Sequence, residues 1–116
     1  MFRFEGLEIY NDSIEYIDKV YRIADGRFPL HEKYILTQQA IRAVNSIALN
    51  IAEGSSRGNK DFNRFLGIAI GSLFETVTCF KIALKRKYIT EEKYKEIYDE
   101  AEKLAKKINS FRKTLQ

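Results

Sequence analysis

"TEEKYKEIYDEAEKLAKKINSFRKTL", residues 90–115, carries its apolar side chains on a single period. Tyr94, Ile97, Tyr98, Ala101, Leu104, Ala105, Ile108, Phe111 and Leu115 recur at the three- and four-residue steps of one helix face. The charges occupy the other faces. Thr90 is suited to an N-cap, and Glu91 and Glu92 would sit in the first turn, where the helix dipole favours negative charge. A strand would alternate every second residue, and this segment does not. It reads as a helix.

Working outward, the same period appears three more times and no strand pattern appears. Tyr10, Ile14, Ile17, Tyr21 and Ala24 form the stripe of a first helix. "DGRFPLH" (25–31) ends it, with Gly26 suited to the C′ position and Pro29 unable to continue. A second helix is expected from His31 or Glu32 to Glu53, closed by Gly54 and the polar loop "GSSRGN". A third is expected from an Asn59 N-cap, with Asp61 in its first turn, to about Lys85. There Lys81, Lys85, Arg86 and Lys87 suit the negative end of the dipole. Loops this short set consecutive helices antiparallel. The expected fold is all-α, an antiparallel up-down-up-down four-helix bundle forming one domain over residues 1–116, about 35–40 Å long.

Composition agrees. The chain has 116 residues, 45% hydrophobic and 31% charged, which fits a globular core and excludes a disordered chain. Its single cysteine permits no internal disulfide, and the expected location is a reducing cytoplasm. "MFRFEGLEIYNDS" carries early acids and does not resemble a secretory signal. "FLGIAIGSLFETVTCF" (65–80) contains Glu75 and is shorter than the about 20 apolar residues of a membrane span, so a buried helix and no membrane partner are expected. Net charge is +4. Residues 1–84 hold ten bases and ten acids; residues 85–116 hold ten bases and six acids, so the whole excess lies in the last quarter. Such a balance permits a phosphate-bearing partner without requiring one.

The second helix carries an unusual polar arc. Gln39, Arg42, Asn45, Ser46, Asn50, Glu53 and Arg57 share it, opposite Ile41, Val44, Ile47, Ala48, Ile51 and Ala52. A solvated face is normally Lys and Glu; Asn and Ser at helix centre are weaker helix formers. The third helix places Gly67, Gly71, Glu75 and Thr78 on one side and Leu66, Ile70, Leu73, Val77, Phe80 and Leu84 on the other. Each mid-helix glycine costs about 1 kcal/mol relative to alanine. Close approach of another helix would offset that. Glu75, the one formal charge between Arg64 and Lys81, must face water or pair with a base such as Arg42 or Arg57. A subunit-contact surface is favoured over plain solvent exposure.

Catalytic chemistry is not indicated. A di-iron bundle needs four Glu and two Glu-x-x-His turns, whereas the one histidine, His31, lies beside Pro29 in a loop. Cys79 reads as a small core residue near Phe65 and Ile68. "GSSRGN" lacks the spacing of a phosphate-binding loop. Glu53 and Glu75 could serve as an acid/base pair only if they shared a cleft. No catalytic residue, metal or cofactor is expected, and the chain is not expected to be an enzyme.

"FPLHEKYILTQQ", "RAVNSIALNIAEGSSRGNKDFNRFL" and "IAIGSLFETVTCFKIALKRKYI" together resemble the four-helix bundle family named for the 23S rRNA intervening-sequence protein, over roughly residues 4–89. The N-I-A-E-G…F-x-R-F-L…G-S-L-x-E series carries the likeness. The family pattern coincides with Gln39, Arg42, Ser46, Asn50, Glu53 and Gly54 on the second helix and with Gly71, Ser72 and Glu75 on the third. Ile41 stands where the family usually has a second arginine, and Ala48 where it usually has proline, which implies a straighter second helix.

The resemblance implies a bacterial protein of unknown role that assembles with itself as a ring, a homopentamer. The stripe expected to build the contacts is Gln39, Arg42, Ser46, Asn50, Glu53 and Arg57 with Gly67, Gly71, Ser72 and Glu75. A related bundle, the accessory variability protein of diversity-generating retroelements, is a pentameric barrel that binds nucleic acid. By that analogy RNA is a candidate partner, with Lys85, Arg86, Lys87, Lys103, Lys106 and Lys107 as candidate contacts. The alternative is a purely structural or protein-interaction oligomer with no nucleic-acid role.

Overall fold

The computed structural model describes all 116 residues, Met1–Gln116. The fold is all-α. A 3-10 turn at Arg3–Gly6 precedes α1 (Glu8–Arg27); a second at Leu30–Glu32 precedes α2 (Leu36–Ser55), which is followed by α3 (Asn59–Lys85) and α4 (Glu91–Lys113). Each helix has two neighbours, in the cyclic order α1, α2, α3, α4, and no Cα pairs within 8 Å join the diagonals. The molecule measures 43 × 23 × 21 Å. Its long axis follows α3, whose 27 residues span about 40 Å at 1.5 Å per residue.

One cluster of 23 buried apolar residues fills the space between the helices. Val20 of α1, Val44, Ile47 and Ile51 of α2, Phe62, Leu66 and Phe80 of α3, and Ile97 and Ile108 of α4 are wholly shielded from solvent. By length and hydropathy α3 is apolar enough to cross a membrane. Here, however, Phe62, Leu66, Ala69, Leu73, Phe80 and Ala83 are buried within this core. Along α4 the expected stripe faces the core, with Tyr98 at its exposed edge.

Four expectations are corrected. The buried line of α1 is Ile9, Ser13, Tyr16, Val20, Ile23 and Ala24, while Ile14 is 41% exposed. The stripe read from the sequence is the flank facing α2; the true centre lies nearly one residue's rotation, about 100°, further round, between α2 and α4. Gly26 lies inside α1, and Phe28 caps it in extended conformation (φ −75°, ψ 134°). Pro29 disfavours helical geometry at the residue before it, and the Phe28 ring packs 5.2 Å from that of Phe80. The second helix begins at Leu36 rather than His31 or Glu32, because Ile35 (φ −119°, ψ −96°) separates it from the 3-10 turn. Asn59 is the first helical residue of α3 and Gly58 is its N-cap.

Specific hydrogen bonds close one end each of α3 and α4. Thr90 Oγ1 accepts from the Lys93 amide at 3.1 Å, capping α4 as expected. At the end of α3, Tyr88 N–H reaches Ala83 O at 2.8 Å and Lys87 N–H reaches Leu84 O at 3.0 Å. This paired closure places Lys87 in the left-handed region at φ 66°, a position usually taken by glycine.

Charges knit α1 to α4. Lys19 Nζ lies 3.2 Å from Glu96 and 2.8 Å from Glu100; Lys107 Nζ lies 2.7 Å from Glu8 and 2.8 Å from Asp12. Hydrogen bonds from Lys19 and Lys93 hold the Glu96 carboxyl below its usual range, and the Tyr88 hydroxyl does the same for Glu32. A carboxylate depressed in the folded state stabilises the fold above its unfolded pKa and loses that contribution as pH falls through the folded value. Melting temperature should therefore fall on acidification from pH 7 to below about 4, the unperturbed carboxylate range. Thermal melts followed by circular dichroism at pH 7 and pH 3.5 test this. A higher melting temperature at pH 3.5 would contradict it.

Candidate functional site

The polar arc of α2 and the glycine side of α3 meet along the closest helix pair, but not as one continuous stripe. Adjacent helical residues point 100° apart, so neighbours in sequence part company. Asn45 turns towards α1, where its amide donates to the Tyr21 hydroxyl at 2.8 Å. Ser46 turns towards α3, where its hydroxyl lies 2.9 Å from that of Ser72. The Asn50 amide donates to Ser46 Oγ at 2.8 Å and to Ser46 O at 2.7 Å. Ser72 Oγ is also within 3.1 Å of Ile68 O. The amides and hydroxyls that interrupt this helix thus bond one another in a half-buried seam, and no buried side-chain polar atom lacks a partner.

Outside the seam lie the exposed members of the arc: Gln39, Arg42, Glu53 and Arg57 on α2 and the turn after it, Gly71 and Glu75 on α3. Arg57 pairs with Glu53 at 2.8 Å and lies over the Phe65 ring, 5.4 Å from its centroid. Glu75 therefore does not bind Arg57. Neither Glu75 nor Arg42 forms an ion pair within the chain.

The glycines separate too. A Cβ on Gly71 would meet nothing within 4 Å, whereas one on Gly67 would lie 3.3 Å from the guanidinium of Arg112. Gly67 belongs to the α3–α4 contact, where Arg112 also donates to Asn63 at 2.7 Å, and this corrects its grouping with Gly71 and Glu75. Gly54 is buried against Phe62 and Phe65 and is the residue that lets α2 and α3 converge. Cys79 is 2% exposed, its thiol pushed up to about 11 by burial and by the nearby Glu75 carboxylate. No three potential metal ligands converge anywhere in the chain.

Charge pairing divides the six basic candidates. Lys107 is held between Glu8 and Asp12. Lys103 lines a cavity of about 230 Å³ between α1 and α4 together with Asp12, Glu15 and Glu100. Those two lysines face carboxylates, which weakens them as phosphate ligands. Lys85, Arg86, Lys87 and Lys106 are exposed and, like Lys103, outside any ion pair. Arg86 lies beside Tyr88 and Glu32, and Lys106 shares a surface cavity with Glu8, which leaves Lys85 and Lys87 as the two facing no carboxylate.

Sequence reasoning missed the apolar part of this surface. Leu49 is 67% exposed within the polar arc of α2, and Ile68, Phe74 and Ile82 stand out from α3. Phe74 and Tyr98 flank a groove of about 380 Å³ between α3 and α4, floored by Leu73, Ala101 and Ala105. The signal was available for Leu49, which sits among Ser46, Asn50 and Glu53. It was not available for Ile68, which reads equally well as core.

The model of the 23S rRNA-intervening sequence protein family matches residues 5–110. Among solved structures, the chain is similar to a protein of unknown function from the S23 ribosomal protein family of Bacteroides thetaiotaomicron. The TM-score is 0.82 at 24% identity, covering 90% of this chain and 98% of that one. At that identity the likeness bears on the fold alone. No curated protein matches.

Proposed function

The chain belongs to the 23S rRNA-intervening sequence protein family, and we propose that it works by assembly rather than catalysis, as a cytoplasmic bacterial up-down-up-down bundle that associates with itself in a ring. Contacts between neighbouring helices support the antiparallel arrangement. Lys107 meets Glu8 and Asp12 while Lys19 meets Glu96 and Glu100, so residue order reverses between α1 and α4. It reverses likewise between α2 and α3, where Ser46 meets Ser72 and Gly54 meets Phe62.

One observation carries the assembly reading. The outer face of α2 and α3 exposes Leu49 and Ile68 beside an uncharged seam and a bare Gly71, with Ile35 and Ile82 exposed further along the same face. Exposed aliphatic side chains repeated along one face, beside bonded amides and hydroxyls, support a surface that another chain covers. A second reading, RNA binding, is favoured only at the turn between α3 and α4, where Lys85 and Lys87 are exposed and outside any ion pair and the exposed Arg86 guanidinium lies beside Tyr88 and Glu32. Such binding would rest on phosphate contacts and weaken steeply with salt.

Size exclusion with light scattering and dual-wavelength absorbance, on protein purified at low salt without nuclease, tests both readings. The expected result is a particle of several 13.6 kDa subunits. Nucleic acid that co-elutes and is lost at high salt would support the RNA reading; its absence at low salt would favour a purely structural oligomer. A monomer at every concentration would overturn the assembly reading.

A further inference from the structure

Ile35, Arg42 and Leu49 follow one another at seven-residue steps on α2 and the residue that leads into it, and Ile68, Glu75 and Ile82 do so on α3. Seven residues turn a helix through nearly two full turns, so each set forms an almost straight column. All six side chains are exposed, Ile35 and Leu49 by about two thirds, Ile68 and Ile82 by nearly half. The contact between the Ser46 and Ser72 hydroxyls sets the register of the two helices. Counting away from it, Ile35 stands level with Ile82, Arg42 with Glu75 and Leu49 with Ile68, each to within about one 1.5 Å step.

Both columns therefore read apolar, charged, apolar along the bundle axis, and their central charges are opposite. Within the chain those two charges leave each other alone, since Arg42 and Glu75 make neither an ion pair nor a side-chain hydrogen bond. Gly71, one turn before Glu75, has open space where a Cβ would be and lets a second backbone come close.

We propose that a second copy of the chain covers this face, α2 of one subunit packing on α3 of the next about a rotation axis parallel to the helices. Rotation of that kind preserves height along the bundle. It sets Arg42 opposite Glu75 of the partner subunit, with Ile35 against Ile82 of the partner subunit and Leu49 against Ile68 of the partner subunit. A two-fold axis across the helices would instead set α2 on α2 and bring like charges towards one another, which is disfavoured. Closure of the aliphatic contacts excludes water from the charged pair and strengthens its coupling. The proposal rests on the self-assembly reading and specifies which surfaces meet.

The test is a charge swap in the full-length chain: Arg42→Glu, Glu75→Arg, and both together, weighed by light scattering across a concentration series. Each single variant should shift towards the 13.6 kDa monomer, with association weakened at least about tenfold, or about 1.4 kcal/mol. The double variant should regain the wild-type mass. Circular dichroism spectra should match wild type throughout, because neither residue has a partner inside the subunit, and the melts of the single variants should fall only by the concentration-dependent share that assembly contributes. An assembled wild type whose single variants keep their mass would overturn this contact and leave self-assembly standing. So would single variants that dissociate without rescue in the double. A wild type that is monomeric at every concentration would overturn both.

Discussion

Phe62→Ala is expected to lower folding stability by about 3–5 kcal/mol. The ring is fully buried and stands where four elements converge. The Arg3 guanidinium of the N-terminal turn lies 5.0 Å from its centroid, and the Phe111 ring of α4 packs edge-on at 5.4 Å. Gly54 of α2 lies against its edge. Truncation removes the transfer energy of the ring and leaves a cavity that rigid helices on three sides cannot close. It also frees Arg3, whose hold on Ser55 O at 3.3 Å ties the N-terminal turn to the end of α2. Against a total stability of about 5–15 kcal/mol the loss is a large fraction. Phe74→Ala on the same helix is the natural comparison, since that ring is 65% exposed and its loss should barely move the stability of the fold. Urea unfolding measures both. A loss below about 1 kcal/mol for Phe62→Ala would mean that this end of the bundle collapses onto the space left by the ring.

How much of this could be read from the sequence depended on how one-sided each helix is. Helix α4 was legible because its apolar arc is narrow, its other faces are charged, and Thr90 marks its start. Helix α1 was not, because tyrosines and isoleucines flank a buried line that itself includes Ser13, whose hydroxyl is satisfied by Ile9 O at 2.7 Å. A serine at the centre of a core stripe gives no apolar signal. The candidate surface was legible in composition and wrong in part of its geometry. Asn45 and Ser46 are neighbours in sequence yet bond to different helices, and Gly67 and Gly71 differ by only about 40° on α3, enough to put one beneath Arg112 and leave the other open. The two exposed columns needed the α2–α3 register, which no local pattern contains.

The close approach of α2 and α3 depends on Gly54, and Gly54→Val is expected to destabilise the fold by about 2–3 kcal/mol. A Cβ at this position would lie 2.8 Å from Phe62 Cδ1 and 2.8 Å from Phe65 Cβ. A ring edge can turn aside. The Phe65 Cβ is fixed to the backbone of α3 and cannot, so α2 and α3 must separate or shear. Valine gains some helix propensity over glycine, but that gain is under 1 kcal/mol and is outweighed. Gly71→Ala provides the contrast in the dissociated chain, because open space surrounds it within the chain and the helix should gain up to about 1 kcal/mol. Combining Gly54→Val with Phe62→Ala isolates the cause. Removing the ring clears one of the two obstructions, so the double variant should lose less than the sum of the single losses, with a coupling of about 0.5 kcal/mol or more. Strictly additive losses in urea unfolding would mean that the backbone contact with Phe65 alone sets the distance between α2 and α3. A Gly54→Val protein as stable as wild type would show that these two helices have room to separate at this end.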